Sequence, residues 1–464
     1  MGQRSTSALV LGGGLAGMLA AHVLAQHVDA VTVVDRDHFP DGPEHRNGTP
    51  QDHHTHVLVS GGARALEELM PGTTAILLEH GAHHIGLPNN YLQLAPHGWY
   101  PRLHEMQFIV GCSRVLLEWV VRSRLRAHRH VTVVEGTDVV RLTGRAGVIT
   151  GAMTRDRTTH ESGQFDADIV VDATGRGSHT TDWLTELGFP SVPEAIVDPR
   201  IFYASRIYRA PAGAESHFPA VNIQADPLSR HARESGLLMP IEDGRWTVTL
   251  TGSRGDEPST DDDGFARFAR NLRHPAIADL LGAAEPIEPA FGFRPDANRR
   301  RYYERLTPGP QGLVVLGDAY ATFNPVYGHG MAVCALAAVA LRDGLRHHGL
   351  HPHNSRKLQR RIARATRMAW VMATSQDLRY ATTTSSRPRN LATRLQHGFQ
   401  DRLARAGTAA IAAASLDTYT LSRPVTRFLA PRVLLDVVRR PLQEAMSDPP
   451  FTTEETRLLT PPAS

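Results

Sequence analysis

The chain has 464 residues, 41% hydrophobic and 21% charged, which excludes a disordered or membrane-filling polypeptide and leaves length for two or three packed domains. Its formal net charge is only +3, its basic residues are scattered arginines with Lys357 as the sole lysine, and no aromatic-interleaved basic stripe occurs, so nucleic acid is not an expected partner. The two cysteines, Cys112 and Cys334, need no pairing and suit a reducing cytoplasm.

The first apolar run, Ala8 to Leu11, enters Gly12-Gly13-Gly14-Leu15-Ala16-Gly17, which is a strand–turn and not a signal-peptide cleavage region. An Ala-rich helical stretch, Leu15 to His27, follows. The strand Ala30 to Val34 then ends on Asp35, about 20 residues into the unit, which is the layout of a βαβ dinucleotide site. Gly12 makes the tight turn, Gly14 admits a pyrophosphate to the backbone, and Gly17 lets helix and strand pack closely. The helix N-terminus offers unpaired N–H groups to the phosphate, and Asp35 can accept from a ribose hydroxyl.

A turn-rich stretch, Arg36 to Gln51, precedes His53-His54-x-His56. Close histidines invite a metal reading, but no Cys or carboxylate set with zinc spacing follows; a polar loop beside a ligand is favoured and no metal is expected. Ala63 to Leu69 reads as a helix, and residues 81–104 as strands and loops. Ser113 is an N-cap for the helix Val115 to Ala127. Arg114 lies in its first turn, where the dipole disfavours a cation; a bound anion or a plain surface position would account for it. Val131 to Val134, Val139 to Leu142 and Val148 to Met153 read as strands, and Asp168 to Gly175 as a strand returning to the first sheet. Pro190, Pro193 and Pro199 mark a boundary, followed by short strands at 201–209, 220–224, 236–239 and 245–251. The stretch Thr260-Asp261-Asp262-Asp263 can cap a helix from Gly264 to Leu272, a cheaper account of the acidic triplet than a cation site. Gly312 to Leu316 is a further buried strand, and Met331 to Arg346 a helix. The longest clean apolar run, Met331 to Leu341, is too short to span a bilayer; peripheral contact through the C-terminal helices stays open. From Ser355 on the pattern is helical, with a loose tail after Pro450.

Between strand and helix lies a second anchor, Gly317 to Met331, comprising an acid, a Pro/Gly loop and a helix start. Asp318 can accept from a sugar-alcohol hydroxyl, and the N–H groups of Gly330 and Met331 can stabilise negative charge on a reduced ring. With both anchors the chain resembles the class A flavoprotein monooxygenases, the para-hydroxybenzoate hydroxylase and squalene epoxidase superfamily. The resemblance implies an α/β fold: a Rossmann-like FAD-binding domain (1–60, 105–182 and 296–346), a β-sheet substrate domain (61–104 and 183–295) and a C-terminal helical region (347–464). It implies non-covalent FAD contacted by Gly12 to Gly17, Asp35, Arg36, Arg46, Arg114, Val139, Asp172, Thr174, Gly175, Asp318, Pro325, Gly328, Gly330 and Met331, with Arg176 near the pyrophosphate. His329 stands where the family often has Gln, which puts any side-chain role there in doubt.

A closer resemblance is to the actinomycete polyether-antibiotic epoxidases of the monensin and lasalocid type. It is carried by Arg46-Asn47-Gly48-Thr49-Pro50-Gln51 with His54-x-His56-Val57-Leu58, by Ser60-Gly61-Gly62-Ala63-Arg64, by Met239 to Trp246 and by Phe323 to Met331. It implies transient NAD(P)H, O2, a flavin hydroperoxide and epoxidation of a polyene or polyketide, free or on an acyl carrier. Epoxidation needs no protein nucleophile, so no catalytic side chain is assigned. Phe202, Tyr203, Trp246, Phe291 and Phe323 are candidate apolar walls, though each reads equally as a core aromatic. A flavin halogenase would need a lysine near the flavin, and Lys357 lies outside the matched region. An aromatic or polyketide hydroxylase and a geranylgeranyl-reductase-like enzyme are the nearer rivals; a non-catalytic flavin-binding module is disfavoured by the intact second anchor.

Overall fold

A computed structural model describes residues 5–227, 233–253, 255–294, 297–386, 391–439 and 446–459. Its organising element is a five-stranded parallel sheet ordered Leu313–Val315, Ile169–Asp172, Ser7–Leu11, Ala30–Val34 and Val131–Val134. The inner strands are near-continuous apolar runs because helices or loops cover both faces, leaving no polar side. The strand expected to return near Ile169 joins this sheet, and the buried strand at Leu313 joins it too. Helix Leu15–Leu24 follows the first strand and stops three residues short of the expected His27, capped by Ala25. It packs against the long helix Gly330–His348, which packs in turn on Ser355–Asp377. An antiparallel meander, Thr137–Arg145, Val148–Asp156 and Ser162–Asp166, connects within this layer.

The second layer is a mixed sheet in which Ile201–Arg209, Arg245–Ser253, Ser235–Ile241, Ala220–Ile223 and Tyr91–Ala95 are successive neighbours. Phe291–Phe293 pairs with Ile201–Arg209 on its other edge. Side chains alternate across this sheet. One face carries Ala204, Trp246, Val248 and Leu250, buried under helices Asp262–Asn271 and Ala276–Ala283 as a separate core. The other face looks back toward the parallel sheet. Asp261 caps the first of those helices, its carboxylate accepting from the Gly264 N–H at 2.7 Å. Residues 60–87 share the first core, whereas residues 91–99 extend the mixed sheet.

Helices Leu391–Ala406, Ala409–Tyr419 and Pro431–Arg439 close over a small core of their own, including Leu403, Ile411, Val433 and Val437. The stretch after Pro450 corrects the expectation of a loose tail. Phe451 and Leu458 pack on the core under the mixed sheet, and Arg102 donates twice to Glu455 at 2.8 and 2.6 Å. Residues 460–464, also expected to be loose, lie outside the described residues. Among the described residues no helix is long and apolar enough to cross a membrane.

Candidate functional site

The two layers and the C-terminal helices enclose one large cavity of about 1740 Å³. Single small-ligand pockets run to roughly 1,000 Å³, so this volume accommodates more than one small molecule. Gly12, Gly14, Leu15, Ala16, Asp35, Arg36, Arg46, Arg114, Val139, Thr174, Gly175, Asp318, Pro325, Gly328, Gly330 and Met331 all line it. Residues from both anchors, some 300 positions apart in sequence, thus face the same space.

At the first anchor Gly12 takes φ +94°, and an added Cβ would meet the Ala173 carbonyl oxygen at 2.5 Å. Gly17 lies beneath the turn, where a Cβ would overlap the Gly12 carbonyl oxygen. At Gly14 the space is open: a Cβ would meet only the Arg46 Nη2, at 3.6 Å. The first helical bond runs from the Met18 N–H to the Gly14 carbonyl, so the N–H groups of Leu15, Ala16 and Gly17 have no acceptor within the helix. Gly13 does not line the cavity; its N–H donates to Asp35 Oδ2 at 2.6 Å. Burial pushes the Asp35 carboxyl up, opposed by Arg46 and by the Asp37 and Gly13 N–H groups.

Beneath this end lies a buried charge network. Arg46 spans Asp35 (3.5 Å), Asp37 (3.2 Å) and Glu118 (3.3 Å). Arg114 pairs with Asp52 at 3.0 Å and with Glu118, one turn on, at 2.8 Å. The structure thereby accounts for the cation in a first helical turn: two internal carboxylates stabilise it, so neither a bound anion nor a bare surface position is needed. Ser113 caps that helix as expected, accepting from the Leu116 N–H at 3.2 Å. Burial raises the Asp52 carboxyl to about 6 despite Arg114. Burial also acts on Glu118, but its two arginines hold it below the usual range.

Asp172 corrects another expectation. It is fully buried and holds the following turn: the Thr174 N–H and hydroxyl donate to Oδ1 at 2.9 and 2.6 Å, and Ser178 donates to Oδ2 at 2.6 Å. Thr174 and Gly175 face the cavity instead.

At the second anchor the Asp318 carboxylate faces the cavity and accepts no hydrogen bond from any described residue. Burial raises its pKa, offset by Arg176 and Arg114. Gly328 has φ +67°, and a Cβ there would run into Val57. Around Gly330 nothing lies within 4 Å of an added Cβ. The first bond of helix Gly330–His348 runs from Val333 to His329, leaving the N–H groups of Gly330, Met331 and Ala332 without helical acceptors. His329 is buried, its Nε2 bonding the Tyr419 carbonyl at 2.9 Å, and burial lowers its pKa to about 4. It therefore ties this loop to the C-terminal helices as a neutral ring.

The loop has a second tether that local sequence signals did not reveal. Asp377, at the end of helix Ser355–Asp377, accepts from Asn298 Nδ2 (2.7 Å), Asn324 Nδ2 (2.9 Å) and the Tyr327 hydroxyl (2.8 Å). Asn298 also accepts from the Asn324 N–H at 2.7 Å, and the Tyr203 hydroxyl donates to Asn324 Oδ1. Burial raises Asp377 to about 6, against those three donors.

Of the five proposed aromatic walls, Tyr203 and Phe323 line the cavity. Trp246 is wholly buried against Phe218 in the separate core, and Phe202 lies on that same outward face; the two-residue period of their strands turns both away. Phe291 shares the Phe293 face but is stacked on His53 at 4.0 Å, outside the cavity lining. The missing apolar wall comes from the C-terminal helices: Met368, Val371, Met372, Leu403, Ile411 and Phe428. Lys357 is not among the lining residues; its Nζ donates to Asn354 at 3.1 Å.

The three histidines separate. His53 stacks between His45 and Phe291, each at 4.0 Å. His54 lines the cavity with its Nδ1 2.7 Å from Ser205 Oγ, and His56 bonds the His54 carbonyl through Nδ1 at 2.7 Å. Among the described residues no group of three or more His, Cys, Asp or Glu side chains is placed to hold a metal ion. Cys112 and Cys334 are unpaired, and Cys334 lines the cavity.

Protein Rv3254 of Mycobacterium tuberculosis (strain ATCC 25618 / H37Rv) is 32% identical to this chain over 393 residues, 82% of each. The chain belongs to the Rv3254 family. No family model matches it. Solved structures with the same fold include a flavoprotein/dehydrogenase from Cytophaga hutchinsonii (TM-score 0.64, 12% identity, 94% of this chain and 97% of that one). The myxobacterial chondrochloren halogenase CndH, an FAD-dependent halogenase, gives TM-score 0.62 at 16% identity over 98% and 95%. The probable FAD-dependent monooxygenase pqsL of Pseudomonas aeruginosa gives 0.55 at 14% identity over 81% and 98%. The α/β architecture with its Rossmann-like parallel sheet matches these FAD-dependent oxidoreductase folds.

Proposed function

We propose that this member of the Rv3254 family is an FAD- and NAD(P)H-dependent monooxygenase that epoxidises an alkene of a polyene or polyketide. The observation that carries the reading is the convergence of two helix N-termini and the unpaired Asp318 carboxylate on one cavity with an apolar half. These residues fit FAD. The open space at Gly14 and the N–H groups of Leu15 and Ala16 suit a pyrophosphate, Asp35 suits the adenosine ribose and Asp318 a ribityl hydroxyl. The N–H groups of Gly330 and Met331 suit negative charge on the flavin ring. When bound, FAD supplies the redox chemistry: two electrons taken from NAD(P)H and activation of O2, with one oxygen atom ending on the substrate and the other in water.

The chain's own work is positioning and exclusion. Asn298, Asn324 and Asp377 fix the loop from Phe323 to Gly328. Met368, Val371, Met372 and Phe428 offer an alkene a wall that excludes water. Alkene oxygenation requires no protein base, and the substrate arrives free or on an acyl carrier. A hydroxylase of the same superfamily is the second reading, favoured by His54, a neutral imidazole in the cavity wall that can accept a hydrogen bond from a substrate hydroxyl and so orient it.

The test is NADPH consumption by the purified protein in air, with and without a polyene, with mass analysis of the product. A yellow protein whose consumption rises with polyene, and whose product gains one oxygen, supports the reading. A saturated product would mean a reductase, and a protein that retains no flavin would remove the basis for both anchors. Asp318→Ala is expected to loosen FAD roughly tenfold to a hundredfold while leaving the fold intact, as loss of a hydrogen bond to a charged group requires; flavin-fluorescence release reads it. Lys357→Met is expected to leave polyene-stimulated NADPH oxidation within about twofold, since the side chain is outside the cavity. A collapse of turnover in that variant would instead point to halogenation.

A further inference from the structure

We propose that His54 is the residue that recognises a neutral hydroxyl on an otherwise apolar substrate, held against the cavity wall by the His54–Ser205 hydrogen bond. The inference rests on reading this cavity as the substrate site. It does not require turnover.

His54 is anchored on one side only. Its Nδ1 lies 2.7 Å from Ser205 Oγ, on a strand 151 residues away, while its Nε2 has no hydrogen-bond partner among the described residues and the ring lines the cavity. The ring plane is braced by Phe293, with centroids 5.2 Å apart. Behind Ser205 runs a ladder of hydroxyls across the inward face of the mixed sheet. Ser205 to Thr249 is 2.5 Å, Thr249 to Thr55 is 2.8 Å, and Thr55 to Thr247 is 3.0 Å. Each hydroxyl can donate or accept, so Ser205 can take the Nδ1–H and pass its own proton along the ladder, which leaves Nε2 as an acceptor for a substrate O–H.

The surroundings select the ligand. Ser205, Thr249, Thr251 and Phe293 are uncharged, and burial together with the neighbouring His53 keeps the imidazole neutral, with a pKa of about 4. A carboxylate or phosphate would gain no charge partner from His54, Ser205 or the threonines; the cation on this side, Arg176, lies over the Phe293 ring, 5.6 Å from its centroid. A plain hydrocarbon would cover Nε2 and leave it unsatisfied. A hydroxyl fills the position with one hydrogen bond and no buried charge. Discrimination against a ligand lacking that hydroxyl should be roughly tenfold to a hundredfold.

The experiment uses the purified full-length protein and two probes, retinol and its O-methyl ether, titrated by polyene fluorescence. Wild type should bind retinol at least tenfold more tightly than the ether. His54→Phe, which keeps a flat ring against Phe293, should reduce that ratio to within about twofold by weakening retinol alone. Ser205→Ala, which leaves the ring but removes its anchor, should give an intermediate ratio, and it keeps the test alive if the first variant does not fold. Equal binding of the two probes by wild type, or a retinol preference that survives His54→Phe, overturns the inference. Because binding is read without NADPH or O2, a yellow, polyene-oxygenating protein with no such preference would refute this inference while leaving the monooxygenase reading standing. A protein with the preference but no flavin would do the reverse.

Discussion

Gly17→Ala is expected to yield a protein that is strongly destabilised and colourless, whereas Gly14→Ala should fold normally and fail only in cofactor retention. The two glycines stand three residues apart in the same turn, and the contrast follows from what a methyl group would meet. At Gly17 it would overlap the Gly12 carbonyl oxygen, with the Gly12 carbonyl carbon only 3.0 Å away. That is backbone on backbone, so no side chain can swing aside. Helix Leu15–Leu24 would have to lift off strand Ser7–Leu11 at the centre of the largest core. Overpacking a core costs about 1–3 kcal/mol when side chains absorb it, and a rigid backbone contact belongs at or above the top of that range. At Gly14 the methyl would meet only the Arg46 Nη2, at 3.6 Å, which is ordinary contact. It would, however, occupy the open space where a pyrophosphate is proposed. Urea denaturation and flavin absorbance of the two purified variants check this. Equal stability loss in both variants, or full flavin retention by Gly14→Ala, would count against the assignment of the turn.

Arg114→Met should cost about 3–5 kcal/mol, the usual penalty for removing one partner of a buried ion pair. The side chain is replaced by one of similar reach, so volume is roughly conserved and the effect is electrostatic. Glu118 would keep only Arg46, which already spans Asp35 and Asp37, and Asp52 would lose the arginine it pairs with. The pH dependence has a definite sign. In the intact protein Asp52 has a folded pKa of about 6, above its ordinary value of 3.8. A raised carboxyl pKa contributes stability that is fully present below the unfolded value and is lost as pH rises through the folded one. Asp52 therefore destabilises the fold progressively from about pH 4 to about pH 6. Without Arg114 that window should shift upward, so the urea midpoint of the variant should recover markedly between pH 7.5 and pH 5.5. Adding Asp52→Asn should restore part of the loss at pH 7.5. A variant as stable as wild type at pH 7.5 would show that the network is solvated and of little consequence.

Local pattern reached a good deal of this protein. The glycine turn with its strands at both sides, the caps at Ser113 and Asp261 and the strand runs at Ile201–Arg209 and Arg245–Ser253 are all decided within a few residues by sterics, capping and side-chain period. What the pattern missed is equally specific. Trp246 and Tyr203 look alike as aromatic residues in strands, yet one fills the outer core and the other the cavity, because only the packing of the sheet decides which face is inward. Arg114 invited an anion because Asp52, its partner across 62 positions, could not be paired with it from spacing. The histidines of the 53–56 stretch became distinct only when Ser205, His45 and Phe291 arrived from elsewhere.

The amino-acid sequence by itself determined the βαβ unit and the second anchor, since turn geometry, helix polarity and strand alternation are short-range properties of the backbone. Tertiary structure alone decided that the two anchors share a cavity, that helices after Ser355 supply its apolar wall and that Asp377 pins the loop between them. Those outcomes depend on contacts between residues tens to hundreds of positions apart. Their selection is made by which apolar faces can be buried together, and that is a property of the whole packed chain.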